Sequence, residues 1–226
     1  EKHFNEALRV DPAYGEVLAA LCEMLREQGR ADEGVLKLRA ALEYDPKSQD
    51  AHYVMGHELA AVGETDDAVT YFEKALELNP DDARAHNELG EILARRGRTD
   101  EAMQHYEAAL RAVPDFAYVL DKLGRLLAAQ GKYADAIARY QKALTLNPNN
   151  QDACYLMGRD LTAMGQKDEA VTYYEKALAL NPDDARAHHE LGNILAERGQ
   201  DNDAIAHYQE ALRVVPDFAV VLKNLG

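Results

Sequence analysis

Eight histidines, two cysteines and one serine are the residues of this 226-residue chain that could ligate a metal or attack a carbonyl. Their spacing argues against both. His188 and His189 are the densest pair, yet adjacent residues on a helix point about 100° apart and cannot share a ligand face. His86 and His105 recur as His188 and His207. Packing roles are expected for His52, His86 and His188, and solvent for the other histidines. No CxxC, HExxH or EF-loop spacing occurs. Ser48 sits beside Lys47 in a turn with no positioned base. Paired carboxylates such as Asp66-Asp67 and Asp81-Asp82 suit helix starts, where the helix dipole favours negative charge. No glycine-rich phosphate loop is present. The chain is therefore expected to be no enzyme and to need no cofactor and no metal.

Binding is what remains. Lys plus Arg number 25 and Asp plus Glu 40, a net charge of −15. Nucleic acid is an unexpected partner for that charge unless a basic stripe is segregated. No run of about 18 apolar residues suggests a membrane span. No basic segment followed by an apolar stretch suggests a signal peptide, so the expectation is a cytoplasmic protein.

The elements that position any binding residue are announced by proline. Pro12, Pro46, Pro80, Pro114, Pro148, Pro182 and Pro216 recur at one constant, 34-residue step, and there are no other prolines. A fixed period of about 20–50 residues signals a repeat architecture. Gly29, Gly63, Gly97, Gly131, Gly165 and Gly199 keep the same step, as do Gly56, Gly90, Gly124, Gly158, Gly192 and Gly226. Within 83–116, apolar residues fall at Ala85, Leu89, Ile92 and Leu93, then at Ala102, Met103, Tyr106, Ala109 and Leu110. These three- and four-residue steps give one apolar face on each of two helices. Gly97 lies between them, where a helix C′ residue needs positive φ. Pro114 ends the second helix, and Asp81-Asp82 offer cap oxygens to the first. Small residues such as Gly90, Ala102 and Ala109 allow close helix approach.

The pattern Leu89-Gly90, Leu93, Gly97, Ala102, Tyr106, Ala109, Pro114 resembles the tetratricopeptide repeat. It recurs in 15–48, 49–82, 83–116, 117–150, 151–184 and 185–218. Residues 1–14 resemble a second helix alone and 219–226 the start of a first helix. The resemblance implies an all-α protein, a right-handed α-solenoid or superhelix of antiparallel helix pairs, continuous along the chain. The family's early Trp is replaced, by His86 and His188 among others. The repeat at 15–48 departs most, with Cys22, Gly34 and Leu38 in place of Gly, Ala and an aromatic, so looser packing is expected there. Cys22 and Cys154 lie four repeats apart, too far for an intrachain disulfide in a stack where each repeat touches only its neighbours.

A longer period overlies the first. Residues 49–116 and 151–218 share 45 identities in 68 positions, a duplicated block of three repeats. Both ends fall mid-repeat without a polar capping helix, as in a slice of a longer array. Half-repeats of this kind could stack head to tail between molecules.

The resemblance further implies that the first helix of each repeat lines a concave groove for an extended peptide. The groove candidates are Tyr53, His57, Arg84, Asn87, Glu91, Tyr118, Asp121, Arg125, Asp152, Tyr155, Arg159, Arg186, His189 and Asn193. Arg and Tyr are common interface anchors, and Asn can pair bidentately with a peptide backbone. The chaperone-tail clamp of the family needs Lys–Asn pairs that these columns lack. The Asn ladder of O-linked glycosyltransferase arrays survives only as Leu191-Gly192-Asn193. A protein-interaction scaffold is expected. The alternatives are the substrate-recognition arm of a larger enzyme, such as an O-linked glycosyltransferase, and a self-assembling array.

Overall fold

A computed structural model describes residues 1–225; Gly226, the last member of the second glycine column, lies outside the described residues. Among these residues there are fourteen α-helices and no strand. They fall into two compact units, Glu1–Pro114 and Asp115–Gly226. The first holds α1 (Lys2–Val10), α2 (Gly15–Glu27), α3 (Ala31–Tyr44), α4 (Gln49–Ala61), α5 (Thr65–Leu78), α6 (Ala83–Arg95) and α7 (Thr99–Ala112). The second holds α8 (Ala117–Ala129), α9 (Tyr133–Leu146), α10 (Gln151–Ala163), α11 (Lys167–Leu180), α12 (Ala185–Glu197), α13 (Asp201–Val214) and α14 (Ala219–Leu225). Even-numbered helices from α2 to α12 pair with the helix that follows them.

Each hairpin turns on a glycine. At Gly97 the backbone has φ +74°. The Gly97 N–H donates to Ala94 O (3.0 Å) and the Arg98 N–H to Leu93 O (2.9 Å). This paired closure satisfies the last carbonyls of α6 and requires a left-handed residue. Between hairpins the Asn-Pro-Asp-Asp turn does the same work for the helix start. Asp82 caps α6 by accepting from the N–H groups of Arg84 (2.9 Å) and Ala85 (3.4 Å). Asp184 caps α12 in the same way.

Packing within a hairpin is glycine against an aromatic ring. Tyr106 of α7 lies against Gly90 of α6, and Phe72, Tyr140, Tyr174 and Tyr208 meet Gly56, Gly124, Gly158 and Gly192. Alanines at Ala102 and Ala109 are fully buried on either side. In the first hairpin, Cys22 opposes Gly34 and Leu38 replaces the ring, and α2 and α3 are less closely paired than the helices of the other hairpins. Small and larger residues have changed places there, so the interface is filled by a thiol and a leucine rather than a ring.

Candidate functional site

The first helices of the hairpins carry the fourteen candidate residues. In the Glu1–Pro114 unit, Arg84 is the centre of a cluster. Its Nη2 donates to Asp50 Oδ1 (2.7 Å) and Asp82 Oδ2 (3.1 Å), and its guanidinium lies 4.5 Å from the Tyr53 ring centre. Gln49 Nε2 also donates to Asp82 Oδ2. The helix cap, the preceding repeat and Arg84 are thus one network. Burial pushes the Tyr53 phenol up to about 12. His57 Nδ1 stands 3.6 Å from Glu58 Oε1. The nearby Glu58 carboxylate raises the His57 pKa, against the opposing effect of burial. Glu58 is only 3% exposed, and Arg26 Nη1 donates to it at 3.1 Å. These groups line a hollow of about 280 Å³ between α2 and α4, closed by Ala19, Glu23 and Val54. Asn87 is buried, and Glu91 is half-buried.

The Asp115–Gly226 unit repeats the arrangement three repeats later. Arg186 Nη2 donates to Asp152 Oδ1 (2.8 Å) and Asp184 Oδ2 (2.9 Å), with its guanidinium 4.4 Å from the Tyr155 ring centre. Arg125 Nε donates to Asp121 Oδ2 (2.8 Å), and Arg159 donates from Nε and Nη2 to Asp160 Oδ1 (3.0 and 2.8 Å). His189 Nε2 and Asn193 Nδ2 are 3.1 Å apart, and Asn193 Oδ1 accepts from Tyr208 Oη and Asn224 Nδ2, each at 2.9 Å. Tyr118 is half exposed beneath the Lys122 ammonium, and Asp121 is buried.

The arginines therefore do not reach into solvent as isolated anchors. Each is held by carboxylates, which pre-orders its remaining N–H groups. Sequence periodicity places these residues on one helix face but is silent about partners in the adjacent repeat. The signal is nonetheless present: Asp50 and Arg84, and Asp152 and Arg186, are opposite charges one repeat apart in a single column.

His105 and His207, expected in solvent, are instead paired across their hairpins. His86 Nδ1 lies 2.9 Å from His105 Nδ1, and His188 Nδ1 lies 2.9 Å from His207 Nδ1. His86 and His188 also contact Pro80 O and Pro182 O through Nε2. Burial, then the neighbouring imidazole, lowers the pKa of His105 and of His207. His189 also departs from that expectation, because its ring packs near Tyr208 and Phe218. Cys22 and Cys154 are buried free thiols, and burial pushes Cys22 up to about 12. Among the described residues no cluster of three or more His, Cys, Asp or Glu could hold a metal ion, and no helix is long and apolar enough to cross a membrane.

Stacked helix hairpins with a 34-residue step define an α-solenoid whose polar first-helix faces are separate from its packing columns. The chain belongs to the tetratricopeptide repeat family: a model of that repeat matches residues 53–115 and 155–217, and a second matches 127–173. No curated protein sequence matches it. Among solved structures it is similar to YrrB, described as a TPR protein with an unusual peptide-binding site (25% identity, TM-score 0.76, 83% of this chain and 96% of that one). It shares its fold with pilF of Pseudomonas aeruginosa (23%, TM-score 0.78, 93% and 96%) and with MamA (24%, TM-score 0.67, 73% and 96%). The fold supports a protein–protein interaction scaffold.

Proposed function

We propose that this scaffold is non-catalytic and binds an extended peptide segment along the first-helix faces of each unit. The carrying observation is the hollow between α2 and α4, walled by Tyr53, His57, Glu58 and Arg26, which has a counterpart between α8 and α10. A concave, partly apolar space with a few fixed polar groups is the usual form of a ligand site. The similarity to YrrB supports the same reading, because that protein is described as having a peptide-binding site. Tyr53 and Tyr155 supply rigid aromatic surface under fixed guanidinium groups, and Asn87, Glu91, Tyr118, Asp121, His189 and Asn193 complete the polar lining.

The experiment is a peptide-array screen of the protein and of its Tyr53→Ser/Tyr155→Ser variant. Peptides retained by the native chain should lose signal on the variant, whose helicity is checked by circular dichroism. Equal retention by both proteins removes the groove assignment.

A further inference from the structure

The duplication sets two versions of one site in the same chain, and they differ in how a buried carboxylate is partnered. In the Glu1–Pro114 unit, the buried carboxylate of Glu58 on α4 is met by the guanidinium of Arg26, which reaches it from α2. In the Asp115–Gly226 unit, Asp160 replaces Glu58 and is fully buried on α10, but Ala128 stands where Arg26 would be. Asp160 Oδ1 is held by Arg159, while Asp160 Oδ2 has no hydrogen-bond partner in the protein. Tyr140 Oη and Asp121 Oδ1 are likewise buried without one. Burying such atoms unpaired is costly.

The space that the arginine would fill is open. A hollow of about 340 Å³ lies over Asp160, walled by Ala128, Ala129, Ala163 and Leu156, with Arg125, Arg159 and Tyr133 around it. Three alanines and a leucine make a lining for an aliphatic stem, with a carboxylate among them for a cationic head. Among the described residues Arg159 is the one cation paired with Asp160, because Arg125 is taken by Asp121 and Asp152 and Arg186 by Asp152 and Asp184. Burial raises the Asp160 pKa despite Arg159, so one guanidinium alone does not offset the loss of water.

We propose that this hollow is a seat for an arginine side chain of the bound peptide, which delivers to Asp160 Oδ2 the guanidinium that Arg26 delivers to Glu58 within the chain. The proposal rests on the peptide-binding reading above and gives it a specificity: a basic residue opposite Ala128. The other unit offers no such seat, because its own Arg26 already holds the Glu58 carboxylate.

The test is an NMR titration of alanine- and leucine-methyl-labelled protein. The probes are acetyl-Ala-Ala-Arg-Ala-Ala-amide and its citrulline twin, which keeps the shape of arginine and loses the charge. The arginine peptide should shift the methyl signals of Ala128, Ala129 and Ala163 and bind at least about tenfold more tightly than the citrulline peptide, as a charge-assisted hydrogen bond to a buried carboxylate requires. Ala128→Arg, which copies Arg26 into this unit, should abolish those shifts. Arg26→Ala should open a second, equivalent seat at Glu58. Equal binding of both peptides to α8 and α10 overturns the arginine seat while leaving peptide binding intact. An absence of shifts on every first-helix face with both peptides overturns the seat and the peptide-binding reading together. Arginine preference that survives Ala128→Arg also overturns the seat, and the two-peptide comparison on the native chain stands even where a variant misfolds.

Discussion

Replacing Gly90 by alanine tests the packing that holds the first-helix faces in place. A Cβ at Gly90 would lie 2.7 Å from Cε1 and 2.8 Å from Cδ1 of Tyr106. Carbon atoms pack at about 3.5 Å or more, so the ring would have to retreat by about 0.8 Å. It has nowhere to go: Tyr106 is 1% exposed, and Ala102, Ala109 and Ile92 around it are equally buried. Overpacking of this kind costs about 1–3 kcal/mol. Alanine returns about 1 kcal/mol through its better helix propensity, so the net change for Gly90→Ala should be a destabilisation of about 0–2 kcal/mol. In a Tyr106→Leu background, which copies Leu38 of the first hairpin, the added methyl has space and the cost should disappear. Urea unfolding followed by circular dichroism on the four proteins of the cycle gives the coupling, expected to be about 2 kcal/mol. Solenoid stability is a sum over neighbours, so the comparison is made on the shift of the transition midpoint at constant slope. An equal effect of Gly90→Ala in both backgrounds would refute the claim that ring and glycine are matched.

Three further outcomes are expected. Gly97→Ala meets no atom within 4 Å, so its cost should be the conformational one alone, about 1–2 kcal/mol by thermal or urea unfolding, and insensitive to Tyr106→Leu. Burial lowers the pKa of His105 and His207 below the unfolded value. The unfolded chain then binds protons first, and stability should be full above about pH 6.5 and fall as the pH drops below it, with His105→Gln/His207→Gln flattening the profile; a native profile no steeper than the variant's removes this claim. For Asp184, burial works upward, but Arg186 and the N–H groups of Ala187 and Arg186 outweigh it and hold the pKa low. Its contribution is present above about pH 4 and lost in more acid solution. Asp184→Ala should therefore cost about 1–2 kcal/mol at about pH 7 and much less at about pH 2.5, measured by urea unfolding at both values.

The fold is legible in the sequence because proline, glycine and alanine recur in register, and each has a backbone or packing reason to stand where it does. The face carrying Tyr53, Arg84, Tyr155 and Arg186 is legible from helical spacing for the same reason. What the faces do with their charges is not. Whether Arg84 is free or held depends on Asp50 one repeat earlier and on Asp82 just before it, and helical spacing speaks only of direction. His105 shows the same gap: its separation from His86 along the chain means nothing until the hairpin folds. The three-repeat beat is visible, but its most informative site is a difference, Ala128 for Arg26, and it acquires meaning only once Glu58 and Asp160 are seen to be buried.

The clasp between consecutive repeats also limits how an array of this sequence can be lengthened. Asp50 meets Arg84 one repeat onward, and Asp152 meets Arg186. Copying residues 83–116 alone would set an arginine against an arginine, and Phe116 rather than Asp82 would stand at the cap of the new first helix. Copying three repeats together keeps aspartate against arginine at that seam and an aspartate at the cap. The grammar of the array is therefore written in words of three repeats, although each repeat is spelled out as a letter of its own.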